Sequence, residues 1–253
     1  SKRPIIIQKI KEERKPLFNK DIAQWAKDNL GCTLIATFGT EKTKSAIQTA
    51  CRGYRSDEYP DGIDVDHSRK VRIANCFIES GDDCICLKNR REFEEYGSCE
   101  DIVVTNCVMT SRSCAIKIGS ENMDKINNVL FDNCIIRESN RGIGIQNRDE
   151  GTVTNVVFSN MLVESKLFSD VWWGKAEPIY VTSYPRAVGN HKDAGWRFPK
   201  GATEGKCGEV SNIWFHNVKC TGENGIFVGG DVPGKVKHIF FDEVHIALVK
   251  RTD

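Results

Sequence analysis

What the sequence lacks narrows its class first. No apolar run approaches the roughly 18 residues that a membrane-spanning helix needs, and the apolar part of Ser1 to Gln8 is too short for a signal peptide. Neither sign of charge is in excess: 36 Lys and Arg stand against 35 Asp and Glu, for a net charge of +1. That balance gives no reason to expect a nucleic acid or an anionic membrane as partner, so any attraction for an anionic substrate has to be local. No two cysteines have CxxC spacing, and Cys84 and Cys86 have no histidine nearby, which speaks against zinc. The eleven cysteines are an odd number, so at least one lies outside any internal disulfide.

What is present is a repeat. Val71-Arg72-Ile73-Ala74-Asn75-Cys76-Phe77-Ile78 returns as Ile102-Val103-Val104-Thr105-Asn106-Cys107-Val108-Met109 and again as Val129-Leu130-Phe131-Asp132-Asn133-Cys134-Ile135-Ile136. The asparagine recurs at Asn160 and Asn217, with steps of 31, 27, 27 and 57 residues, the last close to two periods. A second phrase interleaves with it: Gly62-Ile63-Asp64-Val65, Cys84-Ile85-Cys86-Leu87, Ala115-Ile116-Lys117-Ile118, Gly142-Ile143-Gly144-Ile145, Pro178-Ile179-Tyr180-Val181 and Gly225-Ile226-Phe227-Val228. Both phrases alternate with period 2 and are rich in β-branched residues, as suits a strand with one face on a core. Helical spacing is absent between them, so each period is expected to be a coil of at least two short strands stacked about 4.8 Å above the last. The fold expected is all-β, a right-handed parallel β-helix over residues 56–253, behind an N-terminal cap over 1–55.

The recurring asparagines are expected to hydrogen-bond the turn backbone and one another at one corner of the stack. Cys76, Cys107 and Cys134 are expected as small apolar core thiols. Residues 19–30 place Ile22, Trp25, Ala26 and Leu30 near one helical face, and 40–51 suggest another short helix; both are expected to cap the open end of the stack. Residues 168–207 interrupt the spacing and read as long loops around the strand Ile179 to Val181. His216 and His245 fall in the asparagine phrase and read as structural.

In the second phrase the isoleucines and valines take one parity, which turns Asp64, Cys86, Lys88, Lys117, Gln146 and Tyr180 outward, with Asp82 on the same side. The run Ser80-Gly81-Asp82-Asp83-Cys84 precedes an apolar strand, and Pro60-Asp61-Gly62 holds the matching place one coil earlier. Asp and Gly are ordinary turn residues there. Two or three carboxylates in one coil step also repel, which raises the pKa of at least one and makes an acid and base pair possible. Trp172, Trp173, Tyr180 and Trp196 are either packing residues or platforms for sugar rings.

Asp61-Gly62-Ile63-Asp64, Gly81-Asp82-Asp83-Cys84-Ile85-Cys86-Leu87-Lys88 and Ile116-Lys117-Ile118-Gly119-Ser120 resemble successive coils of glycoside hydrolase family 28, the polygalacturonase family. The resemblance covers about Pro60 to Asn160. It implies hydrolysis of a uronic-acid or rhamnose linkage in pectic poly- or oligosaccharide, with inversion and with no metal or cofactor, by a secreted or periplasmic enzyme expected to be a monomer. It makes Asp82 the general acid, with Asp61 and Asp83 activating water. Three motifs differ from the family's: its Asn-Thr-Asp falls on Tyr59-Pro60-Asp61, its Gly-His-Gly on Ser113-Cys114-Ala115 and its Arg-Ile-Lys on Gly144-Ile145-Gln146. Lys117, Arg148 and Lys88 are the cations expected to bind substrate instead. The rival expectations are a non-catalytic carbohydrate-binding β-helix and a calcium-dependent polysaccharide lyase.

Overall fold

Among the described residues of the computed structural model every strand-to-strand pairing is parallel, and the strands recur in the order that a coil winding in one sense produces. The structure describes residues 61–168, 174–185 and 206–249. The expected cap over 1–55, its two candidate helices, and Trp172, Trp173 and Trp196 lie outside them. Among the described residues the one helical element is a 3-10 stretch, Arg91–Tyr96.

The second phrase forms one sheet of six strands: β1 (Ile63–Asp66), β4 (Ile85–Asn89), β7 (Cys114–Asn122), β10 (Arg141–Asn147), β12 (Ile179–Ser183) and β14 (Phe227–Gly230). Its register stacks Ile85, Ile116, Ile143 and Ile179 in one column and Leu87, Ile118, Ile145 and Val181 in the next. All eight are fully buried. At roughly 1.5–3 kcal/mol for each buried aliphatic side chain, such columns are the main force holding coil to coil. A third column, of rings, runs through the core as Phe131, Phe158 and Phe215, stacked at 5.2 and 5.0 Å, and ends on the exposed Phe241 ring at 5.1 Å.

The asparagine phrase forms the remaining wall. It is split into two faces in the early coils, as β2 (Arg72–Ala74) and β3 (Phe77–Ser80), β5 (Cys99–Thr105) and β6 (Val108–Ser111), and β8 (Lys125–Asp132) and β9 (Ile135–Ser139), and runs on as the long strands β11 (Thr152–Ser165), β13 (Val210–Gly222) and β15 (Val236–Leu248) later. The coil therefore has three faces. The corner between the last two is the asparagine: Asn75, Asn106, Asn133, Asn160 and Asn217 all have φ between 50° and 58°, a left-handed conformation that asparagine tolerates and most other residues avoid. Asn106 donates to Asn75 at 3.2 Å, Asn133 to Asn106 at 2.7 Å and Asn217 to Asn160 at 2.8 Å. The ladder departs from expectation once, where Asn160 donates to Asp132 instead, at 2.8 Å. A second corner, five residues earlier, is made by Asp101, Asn128, Asn155, Asn212 and His238, again at positive φ. Its mixed residue types hid it in the sequence.

Cys76, Cys107 and Cys134 turn into the core just after the corner, and each thiol donates at 3.3 Å to the carbonyl two residues back. All nine described cysteines are buried thiols outside any disulfide. The architecture is the right-handed parallel β-helix, the hand taken by nearly all parallel crossovers. Among the described residues no helix is long and apolar enough to cross a membrane.

Candidate active site

The first two coils bring three carboxylates together. Asp61 stands two residues before β1, and Asp82 and Asp83 hold the equivalent turn before β4. Gly62 N–H donates to the Asp83 carbonyl at 2.8 Å, and Asp83 N–H donates to Asp61 Oδ1 at 3.2 Å, so the two turns lie flat on each other. Only glycine permits this approach at residue 62, since a Cβ there would sit 2.3 Å from the Cys84 carbonyl oxygen. Behind Asp82, the Ser80 and Ser111 hydroxyls both donate to its backbone carbonyl at 2.6 Å, which fixes the turn without using its side chain. One oxygen from each of Asp61, Asp82 and Asp83 lies within 4.8 Å of the other two.

That crowding has an electrostatic cost. Burial, then the charges of Asp83 and Asp61, raise the Asp82 pKa to about 6, with Lys117 and the Ser113 hydroxyl acting the other way. Asp61 also rises to about 6, mainly by burial, with Lys88 opposing and Asp64 and Asp83 adding. Asp64, deeper in the wall, is raised chiefly by burial. The protons on this cluster belong to the group as a whole.

The lysines are drawn inward by these acids. Lys88 Nζ lies 3.3 Å from Asp61 Oδ2 and 3.0 Å from Asp64 Oδ2, and Lys117 Nζ lies 3.4 Å from Asp83 Oδ2. Burial disfavours the charge on both, yet the surrounding acidic groups outweigh it and leave both pKa values raised. Ser113 Oγ adds a hydrogen bond of 3.1 Å to Asp83 Oδ1. Arg148, by contrast, follows the C-terminal end of β10, while the row of Asp83 continues through Cys114 to Arg141 at its start. Seven residues of strand, roughly 23 Å, separate the two ends. The structure brings five of the six sequence-predicted site residues together and leaves Arg148 apart.

The outward face is less open than alternation implied. The register aligns Asp64, Cys86, Lys117, Gly144, Tyr180 and Phe227 across the sheet, but Asp64 and Cys86 are buried and the Cys86 thiol donates to the Gly119 carbonyl at 3.1 Å. Tyr180 is no free platform. The Arg141 guanidinium lies 3.7 Å from its ring centroid, and the Phe227 ring stacks at 5.1 Å.

The family to which these coils belong is decided by the match of glycosyl hydrolases family 28 to residues 40–167, about half of the chain and all of the carboxylate cluster. The chain belongs to this family. Among solved structures, it is similar to the Yersinia enterocolitica family 28 exopolygalacturonase, at 16% identity and a TM-score of 0.41, over 76% of this chain and 39% of that one. The chain thus spans well under two thirds of that protein's length. No curated protein matches it.

Within this family 28 chain, sequence reading missed Arg141 and Glu177. Arg141 Nη2 and Nε reach Glu177 Oε1 and Oε2 at 3.1 and 3.3 Å, with side chains 5% and 9% exposed. A Cβ on Gly144 would meet Arg141 Cδ at 3.1 Å and Cys114 Sγ at 2.8 Å, so the Arg141 stem crosses the place that a side chain at Gly144 would fill. The only signal in the sequence was an arginine three residues before a strand glycine. Three carboxylates offer the hard oxygen donors that calcium or magnesium takes. Here, however, Lys88 and Lys117 already put ammonium charge against two of them, so the set does not fit a divalent cation well.

Proposed function

We propose that the chain is a glycoside hydrolase of pectic poly- or oligosaccharide, acting at a galacturonide or rhamnogalacturonan linkage. One observation carries the reading: three carboxylates within 4.8 Å, with the Asp82 pKa raised to about 6. A carboxyl that keeps its proton in weak acid can give it to the leaving oxygen as the glycosidic C–O bond breaks. Asp61 and Asp83, joined through the Asp83 N–H, flank the place where a water can lose its proton and add its oxygen to the anomeric carbon. The proton taken by this pair then returns to Asp82 through solvent. Lys88 and Lys117 hold the carboxylates in place; Arg148, away from them, is left to a distant sugar.

Two carboxylates about one water favour inversion, although the nearest oxygens are closer than the roughly 6.5–9.5 Å usual between acid and base in inverting enzymes. Pectic polymer lies outside the cells that degrade it, which supports a secreted or periplasmic place of action. The test is to incubate the protein with rhamnogalacturonan and oligogalacturonide fragments, measure new reducing ends, and follow the first product by NMR. New reducing ends of inverted anomeric configuration are expected. Unsaturated products would indicate a lyase, and binding without cleavage a carbohydrate-binding β-helix.

A further inference from the structure

A group of serines stands behind the Asp82–Asp83 turn, and Ser113 is the one whose hydroxyl bonds the carboxyls. Ser80 and Ser111 donate to the Asp82 backbone carbonyl, and Ser139 Oγ accepts the Ser111 N–H at 2.9 Å. Ser113 N–H donates to Ser111 Oγ at 2.8 Å, so a single oxygen ties the backbone of Ser113 to that of Asp82. On its other side the Ser113 carbonyl accepts the Arg141 N–H at 2.8 Å. Ser113 is buried, and this bracing holds its Oγ in one place beside two acids. It donates to Asp83 Oδ1 at 3.1 Å, and the Asp82 carboxyl is its other hydrogen-bond partner. The hydroxyl stands at the first position of Ser113-Cys114-Ala115, where the Gly-His-Gly motif has no side chain.

A hydroxyl carries one proton and two lone pairs. It therefore donates to one of these acids at a time, and accepts from the other only when that acid is protonated. While Asp82 holds its proton, the donation goes to Asp83, which Lys117 also faces at 3.4 Å, and the Asp82 O–H meets a lone pair of Oγ. Once Asp82 is ionised, rotation of the O–H bond alone carries the donation across to it. The charged groups around Asp82 are Asp83 and Asp61, which disfavour its ionisation, and Lys117, which favours it. The neighbouring thiols of Cys84 and Cys114 are pushed up to about 12, mainly by burial, and stay neutral.

We propose that Ser113 is a positioning residue for the acid step: its hydroxyl donates to Asp83 while Asp82 is protonated, and turns to Asp82 as that proton passes to the leaving oxygen. The serine keeps its own proton throughout. Its donated hydrogen bond strengthens as negative charge develops on Asp82, so it favours the transition state over the bound substrate. This inference deepens the glycoside hydrolase reading of the same site and rests on it.

The test uses the whole protein with Ser113→Ala, and with Ser113→Cys, which fills the same space with a weak donor and remains to be measured if the first variant does not fold. The Asp82 carboxyl is titrated by carbon NMR without substrate, and kcat and KM are followed across pH on pectic fragments. Both variants are expected to raise the Asp82 pKa and to move the alkaline limb of the pH–kcat profile upward by about half a unit or more. In weak acid kcat should fall roughly 10- to 100-fold, with KM changed less than about twofold. A residue that only packed the turn would lower the rate without moving the titration. An Asp82 titration identical to that of the wild type in a folded variant would overturn the inference, as would a loss confined to KM. A wild type that cleaves no pectic fragment would remove the hydrolase reading, and with it the acid step, while the titration still decides whether the hydroxyl serves Asp82.

Discussion

Lys117 Nζ lies 3.4 Å from Asp83 Oδ2, across one coil step, with only 14% of the lysine side chain exposed. The strand that carries it buries Ile116 and Ile118, so alternation sends Lys117 to the active-site face, and the acids there hold it down. In this position it is a counter-charge to the aspartates. Its removal makes every nearby carboxyl harder to ionise, and Lys117 is among the groups that lower the Asp82 pKa. Lys117→Met should therefore move the alkaline limb of the pH–kcat profile upward by about one unit, with a lower rate. A profile unchanged in position, with only KM raised, would make Lys117 a substrate ligand.

The strain in the cluster has a sign that stability can report. Asp82 and Asp61 rise from 3.8 to about 6 on folding, so between those pH values the unfolded chain releases protons that the folded one keeps. The contribution of these groups is fully present below about pH 4 and is lost as pH rises through 6. Asp82→Asn removes part of that penalty. The variant should melt higher than wild type at pH 7, by on the order of 1–2 kcal/mol or about 2–8 °C, and should show no such advantage at pH 4. A wild type that melts above the variant at pH 7 would contradict the raised pKa.

Much of this fold was legible because stacking forces like residues into register. The isoleucines of the second phrase and the asparagines of the first are visible as a repeat since each column in space is a period in sequence. The carboxylates were legible for the same reason: Asp61 and Asp83 hold one place in successive coils. The Arg141–Glu177 pair was not, because its members are 36 residues apart, and the intervening chain breaks the period. The direction taken by Lys88 and Lys117 was also hidden. Alternation tells which face a side chain leaves from, while its final position depends on unpaired charge in the neighbouring coil.

The thiols give a separate check. Cys76, Cys107 and Cys134 are buried thiols outside any disulfide, as are the other six described cysteines. Reductant should change the melting temperature by less than about 1 °C, whereas loss of a stapling disulfide typically costs several kcal/mol. A large fall would mean that disulfides hold the coils.

Chelation separates hydrolysis from a calcium-dependent lyase. With Lys88 and Lys117 set against Asp61 and Asp83, activity should survive millimolar chelator and yield products without an unsaturated end. Loss of activity that added calcium restores would place a cation among the three carboxylates.

The proposed role of Asp82, supplying the proton to the leaving oxygen, is tested by the rate of reducing-end release by Asp82→Asn on the best pectic substrate. The asparagine keeps the shape of the side chain, and the Ser80 and Ser111 hydroxyls still hold the backbone carbonyl. The expected result is a folded protein whose kcat falls by roughly 10²–10⁴-fold. A folded variant that keeps more than about a third of the wild-type rate would contradict it.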